Sequence, residues 1–181
     1  MVTALVVSGC GAVDRSSVGV GGRQPSLPSS HPAISADGRY VAFVSAAPDV
    51  VPGDTNGLED VFVHDHRTGR TERVSVAGDG TQGDGRSWAP TLSPDGRYVG
   101  FMTTATTFYA VGSTREPTVA LHDRATDATT LAYAAGPDRA VFGSPQFLDS
   151  GHLSVTSVFR AVGGVPARTT SEATCFHAGP S

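Results

Sequence analysis

Oxygen-bearing side chains crowd into one loop of this chain. Residues 51–60 read VPGDTNGLED, which spaces Asp54, Asn56 and Asp60 as D-x-N-x-x-x-D and puts Gly57 where a sharp turn is needed. Loops of this make-up suit calcium, a hard cation that collects about six to eight oxygen ligands. The pattern departs from the EF-hand loop. With Asp54 as position one, the twelfth position is Asp65 and not Glu, and the glycine falls at the fourth position and not the sixth. The competing reading is a turn-rich loop whose Asp and Asn side chains bond their own backbone, and it is the stronger of the two. Asp54, Asn56 and Asp60 are the candidate metal ligands, and calcium is the ion they suit.

Two other groups have the residue types of a reactive site. His64 and His66 stand two apart, which on a strand puts both on one face, as in a zinc pair. His66, however, falls at a turn and no third ligand is near in sequence. Asp37 and Asp95 are carboxylates of the kind used in acid–base chemistry, but each is followed directly by glycine (Gly38, Gly96), and a turn explains both. No G-x-S-x-G, Walker or dinucleotide-binding motif occurs, so no catalytic residue and no organic cofactor is assigned.

The elements that position these residues recur. Residues 32–43 read PAISADGRYVAF and residues 90–101 read PTLSPDGRYVGF, with Asp37 and Asp95 58 residues apart. His64-Asp65 and His122-Asp123 keep the same spacing, as do Thr71 and Thr129. A fixed period of this size marks a chain of repeated supersecondary units. Within one unit, residues 33–35 are extended and Asp37-Gly38 reads as a type I′ hairpin turn, which needs positive φ at both central positions. Residues 39–45 (RYVAFVS) are a buried strand. After a long loop at 46–59, residues 60–64 and 71–76 give two more strands. The second unit repeats this at 91–93, 97–103, 119–122 and 129–133. A third is degraded: Pro145 and Gly151 keep the pattern, Ser150 replaces the aspartate, and 153–159 is its second strand. The loop at 54–60 does not recur, since the matching positions are Gly112, Thr114 and Thr118.

Four antiparallel strands per unit without helical periodicity is a β-propeller blade. The fold class is therefore all-β, with about three four-stranded blades. Residues 30–163 hold the repeats, divided at about 30–87, 88–142 and 143–163, and 164–181 reads as an irregular tail. Residues 1–29 have two readings. Shifted by 58, residues 69–82 fall on 11–24 and match Gly11, Arg15, Ser17, Val18, Gly22 and Gln24, which makes this segment the end of a preceding blade. Alternatively Val7-Ser8-Gly9-Cys10 is a lipoprotein signal box, with Cys10 acylated and the chain tethered to a membrane. Cys10 and Cys175 are the only cysteines, too few for a disulfide framework.

The residues Pro32, Ser35, Asp37, Gly38, Arg39, Tyr40, Val41 and Phe43, repeated as Pro90, Ser93, Asp95, Gly96, Arg97, Tyr98, Val99 and Phe101, resemble the TolB-like, WD-like propeller repeats of bacteria. So does DVFVHD at 60–65. The resemblance covers roughly residues 11–160. It implies a non-catalytic module that makes protein–protein contacts in the periplasm or cell envelope. Two alternatives stand beside it: the propeller part of a hydrolase whose catalytic domain is not in these residues, and a calcium- or carbohydrate-binding propeller. Three blades do not readily close a ring, since propellers commonly have about four to eight blades. Three readings follow: a truncated gene or fragment, which the degraded third unit and the cut first one favour, self-association to complete a ring, or an open arc.

Bulk properties limit the rest. The formal net charge is −4, all 13 basic residues are Arg, and no basic run appears, so nucleic acid is not an expected partner. No stretch reaches the roughly 18 apolar residues of a spanning helix.

Overall fold

The computed structural model describes residues 5–8, 12–108, 116–133, 139–141, 143–159 and 168–175. Strands dominate them. β1 (Leu5–Ser8) and β2 (Ala12–Arg15) form a hairpin, followed by a short 3-10 turn at Val20–Gly22. The first complete sheet runs β3 (Ser29–Ile34), β4 (Tyr40–Ser45), β5 (Asp60–Asp65), β6 (Arg70–Arg73), each antiparallel to the next. The second repeats it with β7 (Ser87–Leu92), β8 (Tyr98–Thr103), β9 (Thr118–Asp123) and β10 (Ala128–Tyr133). In the third sheet, β13 (His152–Phe159) is flanked on one edge by β11 (Arg139–Val141) and β12 (Gln146–Phe147) and on the other by β14 (Arg168–Cys175). These are the blades expected from the repeat.

Burial explains why the strands stack. On β4 and β5, Ala42, Val44, Val61 and Val63 face the second blade and pack with Val99, Phe101 and Ala120. Tyr98, Met102, Val119 and Leu121 of the second blade pack in turn on Leu153 and Val155 of the third. The middle strands are buried on both faces, so they read as continuous apolar runs and not as alternating ones. Phe43 and Phe62 stack with centroids 5.6 Å apart in a smaller cluster with Val50 and Val51.

The turn in each repeat is of another type than expected. Gly38 N–H donates to the Ser35 carbonyl, and of Asp37 and Gly38 only the glycine has positive φ (73°). The aspartate is held instead by hydrogen bonds: Ser35 Oγ and Arg39 N both donate to its Oδ1, at 2.6 and 3.0 Å. Ser93, Asp95 and Arg97 repeat this in the second blade. These aspartates form the turns. In the third blade the turn is one residue shorter, and Asp149, not Ser150, accepts from the backbone two residues on.

The expected irregular tail at 164–181 contains a strand instead. β14 pairs with β13 from His152↔Cys175 to Phe159↔Arg168. Its sequence, RTTSEATC, has no apolar run to announce it; eight residues of unbroken ladder supply the order. At the other end, Val18 stands to the first blade as Val76 stands to the second. Thr71 Oγ1 donates to the Val18 carbonyl at 3.5 Å, and Thr129 Oγ1 donates to the Val76 carbonyl.

Candidate functional site

The structure brings Asp54, Asn56 and Asp60 together, and it adds Arg73. Asp60 opens β5 and is fully buried. Its Oδ1 accepts from Ser75 Oγ at 2.6 Å and its Oδ2 from Asn56 Nδ2 at 3.1 Å. Ser75 Oγ also accepts from Val61 N at 3.1 Å, replacing a ladder bond where β6 has ended. Asn56 binds across to the Gly83 carbonyl and caps its own loop by accepting from Leu58 N. Arg73 NH1 stands 3.5 Å from Asp54 and 3.6 Å from Asp60 and donates to Gln82 Oε1 at 2.9 Å. The two carboxylates thus face a guanidinium already in place. Both Asp54 oxygens are buried without a hydrogen-bond partner. Burial pushes the Asp60 carboxyl up to about 6 and raises Asp54 as well. Among the described residues no group of three His, Cys, Asp or Glu is placed to hold a metal.

Arg73 was not singled out from sequence. A signal was there: Arg15 and Gln24 match Arg73 and Gln82 under the 58-residue shift, and Arg15 NH1 donates to Gln24 Oε1 at 3.1 Å as Arg73 does to Gln82. The 54–60 loop is therefore anchored by a pair the repeat also supplies elsewhere.

His64 and His66 part ways. His64 is buried and its Nδ1 lies 2.9 Å from Thr71 Oγ1, whose own hydrogen goes to the Val18 carbonyl, so the imidazole is the donor. His122 and Thr129 repeat the relay toward Val76. Burial lowers both imidazoles, which keeps them neutral. His66 meets Ser16 Oγ at 3.0 Å through Nε2 and lies edge-on to His64. His66 thus ties the first blade directly to the segment before it, and His64 does so through Thr71. Cys10 lies outside the described residues.

A second site came from no motif. The innermost strands β3, β7 and β12 lie side by side, as strands around a propeller axis do. At one end they surround a cavity of about 350 Å³ lined by His31, Trp88, Ala89, Met102, Pro117, Gly143 and Ser144. His31 and Ala89 hold the same place in their repeats, one residue before proline, and both have φ of 50°. A non-glycine residue there is strained, and such strain gathers at functional sites. Each sits in a register shift of the innermost pair, between Ser30 and Ala33 in one blade and between Trp88 and Thr91 in the next. The third blade breaks its inner edge between Val141 and Gln146, where Gly143, one residue before the equivalent Ser144, has φ 89°. His31, Ala89 and Ser144 all line this one mouth. Trp88 is half-buried there, with the Arg86 guanidinium 4.3 Å from its ring.

No protein-family model matches the sequence, and no characterised protein does. Solved structures do match. One is an oligogalacturonate lyase in complex with manganese, 14% identical with TM-score 0.51, covering 76% of this chain and 32% of that one. Another is the β-propeller domain of the Trilobed protease from Pyrococcus furiosus, 13% identical with TM-score 0.50, covering 84% and 41%. TolB from Acinetobacter baumannii is 20% identical with TM-score 0.48, covering 82% and 32%. The chain thus spans a third to two fifths of the length of these structures. Its fold is that of the β-propeller, with TolB among its structural neighbours.

Proposed function

We propose that this chain is a non-catalytic β-propeller module that binds a protein partner at the bacterial cell envelope, through the mouth formed by its innermost strands. The observation that carries this reading is the convergence of two strained, equivalent positions, His31 and Ala89, on one cavity that Gly143 and Ser144 of the third blade also line. Repetition explains a bulge in each blade. It does not explain why the cavity pairs an exposed imidazole with an indole and a thioether, His31, Trp88 and Met102. Aromatic and Met side chains of this kind are enriched where proteins meet. Among the described residues His31 is the one titratable lining residue, and its Nδ1 is engaged by Ser30 Oγ at 2.9 Å. That lining serves recognition better than acid–base chemistry, which calls for paired groups. The envelope location rests on the sequence resemblance alone.

The test is site-specific photo-crosslinking in cells. With a photoreactive amino acid at position 31 or 144, a discrete cross-linked protein is expected. Position 70, on the outer edge, serves as control. Equal cross-linking from position 70, or none from 31 and 144, sinks the proposal.

A further inference from the structure

Asn56 is the only asparagine of the chain, and Gly57 follows it. An asparagine before glycine is chemically labile, because no side chain shields the next backbone nitrogen. That nitrogen attacks the side-chain carbonyl carbon, so the N–Cγ bond forms and the Cγ–Nδ2 bond breaks. Nδ2 leaves as ammonia, taking the proton of the attacking N–H. Water then opens the cyclic imide on either side, to aspartate or to isoaspartate. A water is consumed, an ammonia is released, and a neutral amide becomes a carboxylate. Asp-Gly steps such as Asp37-Gly38 close the same ring but reopen to a carboxylate, so they change no charge.

The fold restrains this reaction. Asn56 Nδ2 donates to Asp60 Oδ2 at 3.1 Å and to the Gly83 carbonyl at 3.0 Å, and Oδ1 accepts from Leu58 N at 2.9 Å. The departing nitrogen is thus held by two acceptors, and a third bond stops the amide from turning toward Gly57 N. Gly57 itself is exposed, with φ 66° and nothing within 4 Å of an added Cβ. Protection therefore comes from the bonds to Asn56 and not from cover over Gly57. Thr55 fastens the same loop, donating from N to Gln82 Oε1 and accepting from Gln82 Nε2 at 2.8 Å. Reaction at Asn56 waits on local opening of this loop.

The product does not fit the place of the amide. A carboxylate oxygen where Nδ2 stood faces Asp60 Oδ2 and the Gly83 carbonyl, both acceptors, and has no hydrogen to give them. Asp60 is fully buried, and the new charge joins Asp54 and Asp60, which already share the Arg73 guanidinium. We infer that Asn56 is a self-modification site kept in check by the fold. The closed loop holds the amide, opening lets Gly57 N attack it, and the carboxylate so formed keeps the loop from closing again. Release is one-way, since hydrolysis of the imide does not return the amide. It frees the segment that brings Val51 and Pro52 to a groove of about 540 Å³ shared with Arg70, Glu72 and Asp127.

The test incubates the full chain at mildly alkaline pH, folded and in urea, with peptide mapping that separates asparagine from aspartate and isoaspartate at position 56. Conversion should be at least about tenfold slower in the folded chain, because opening has to break the bonds of Asn56 first. The Asn56→Asp variant, which carries the product, should exchange the Thr55 amide hydrogen at least about tenfold faster than the wild type. Equal conversion in the folded and unfolded chains, or none in the unfolded chain, overturns the guard. Wild-type exchange at Thr55 in Asn56→Asp overturns the release. Should that variant not fold, the same exchange is read on folded wild type after long incubation, with the converted form separated by charge. Faster exchange in that form supports the release, and unchanged exchange refutes it.

Discussion

Gly96 shows how much a single residue of the repeat carries. It has φ 71°, and a Cβ added there would stand 2.2 Å from Cδ2 of Tyr40, on the neighbouring blade. Tyr40 lies in turn beneath the guanidinium groups of Arg39 and Arg124, 4.5 and 4.1 Å from its ring centroid. Gly38, its counterpart, has φ 73° and nothing within 4 Å of the added carbon. Gly96→Ala should therefore cost about 2–4 kcal/mol, the left-handed penalty plus overpacking, and Gly38→Ala about 1 kcal/mol from the backbone alone. Urea denaturation of both variants checks this, and equal losses would show that Tyr40 does not press on the turn. The arginines after these glycines have a different task. Arg39 grips Asp65 through Nε and NH2, as Arg97 grips Asp123, and each pair holds its carboxyl below the usual range.

Among elements, the blade junctions set the order. Thr129 on β10 accepts from His122 Nδ1 and donates to the Val76 carbonyl of the preceding blade. Thr129→Val keeps the shape and strands both partners, so a loss of about 1–2 kcal/mol is expected. Thr71→Val should match it, since Thr71 stands in the same relay to Val18. An unchanged denaturation midpoint in both would mean the relay holds nothing. The motif made these strands legible. Tyr40–Ser45 and Tyr98–Thr103 follow turns marked by Asp and Gly and are dense in β-branched and aromatic residues. β14 was not legible, because its order comes from the ladder with β13 and not from its own apolar pattern. β6 stops at Arg73 although Val74 and Val76 continue the alternation, because the Ser75 hydroxyl takes over the next bond to Val61.

At the scale of the whole molecule, the innermost strand of the first blade leaves Ile34 52% exposed, whereas Leu92, its counterpart in the second blade, is 7% exposed. Leu148, next to β12, is 64% exposed. Leu92 is covered because it packs with Ala42, Val44 and Val63 of the first blade. The 181-residue chain expressed alone should accordingly associate, with a concentration-dependent mass by light scattering. A monomer that melts in one cooperative calorimetric transition would contradict this.

The blades, their period and the turn-forming part of Asp37 and Asp95 are legible in the chain, because those features depend on contacts within a few residues. The chain also marks Asp54, Asn56 and Asp60 as residues that would meet. What they meet depends on how the chain folds back on itself. Arg73 arrives from another strand and Gln82 and Gly83 from the next connection, so the guanidinium at the heart of the loop is a product of chain folding. The mouth of His31, Trp88 and Ser144 is likewise invisible in sequence, because it joins one short segment from each of three blades. Local chemistry writes a repeat into the chain; where the copies face one another is set by packing between them.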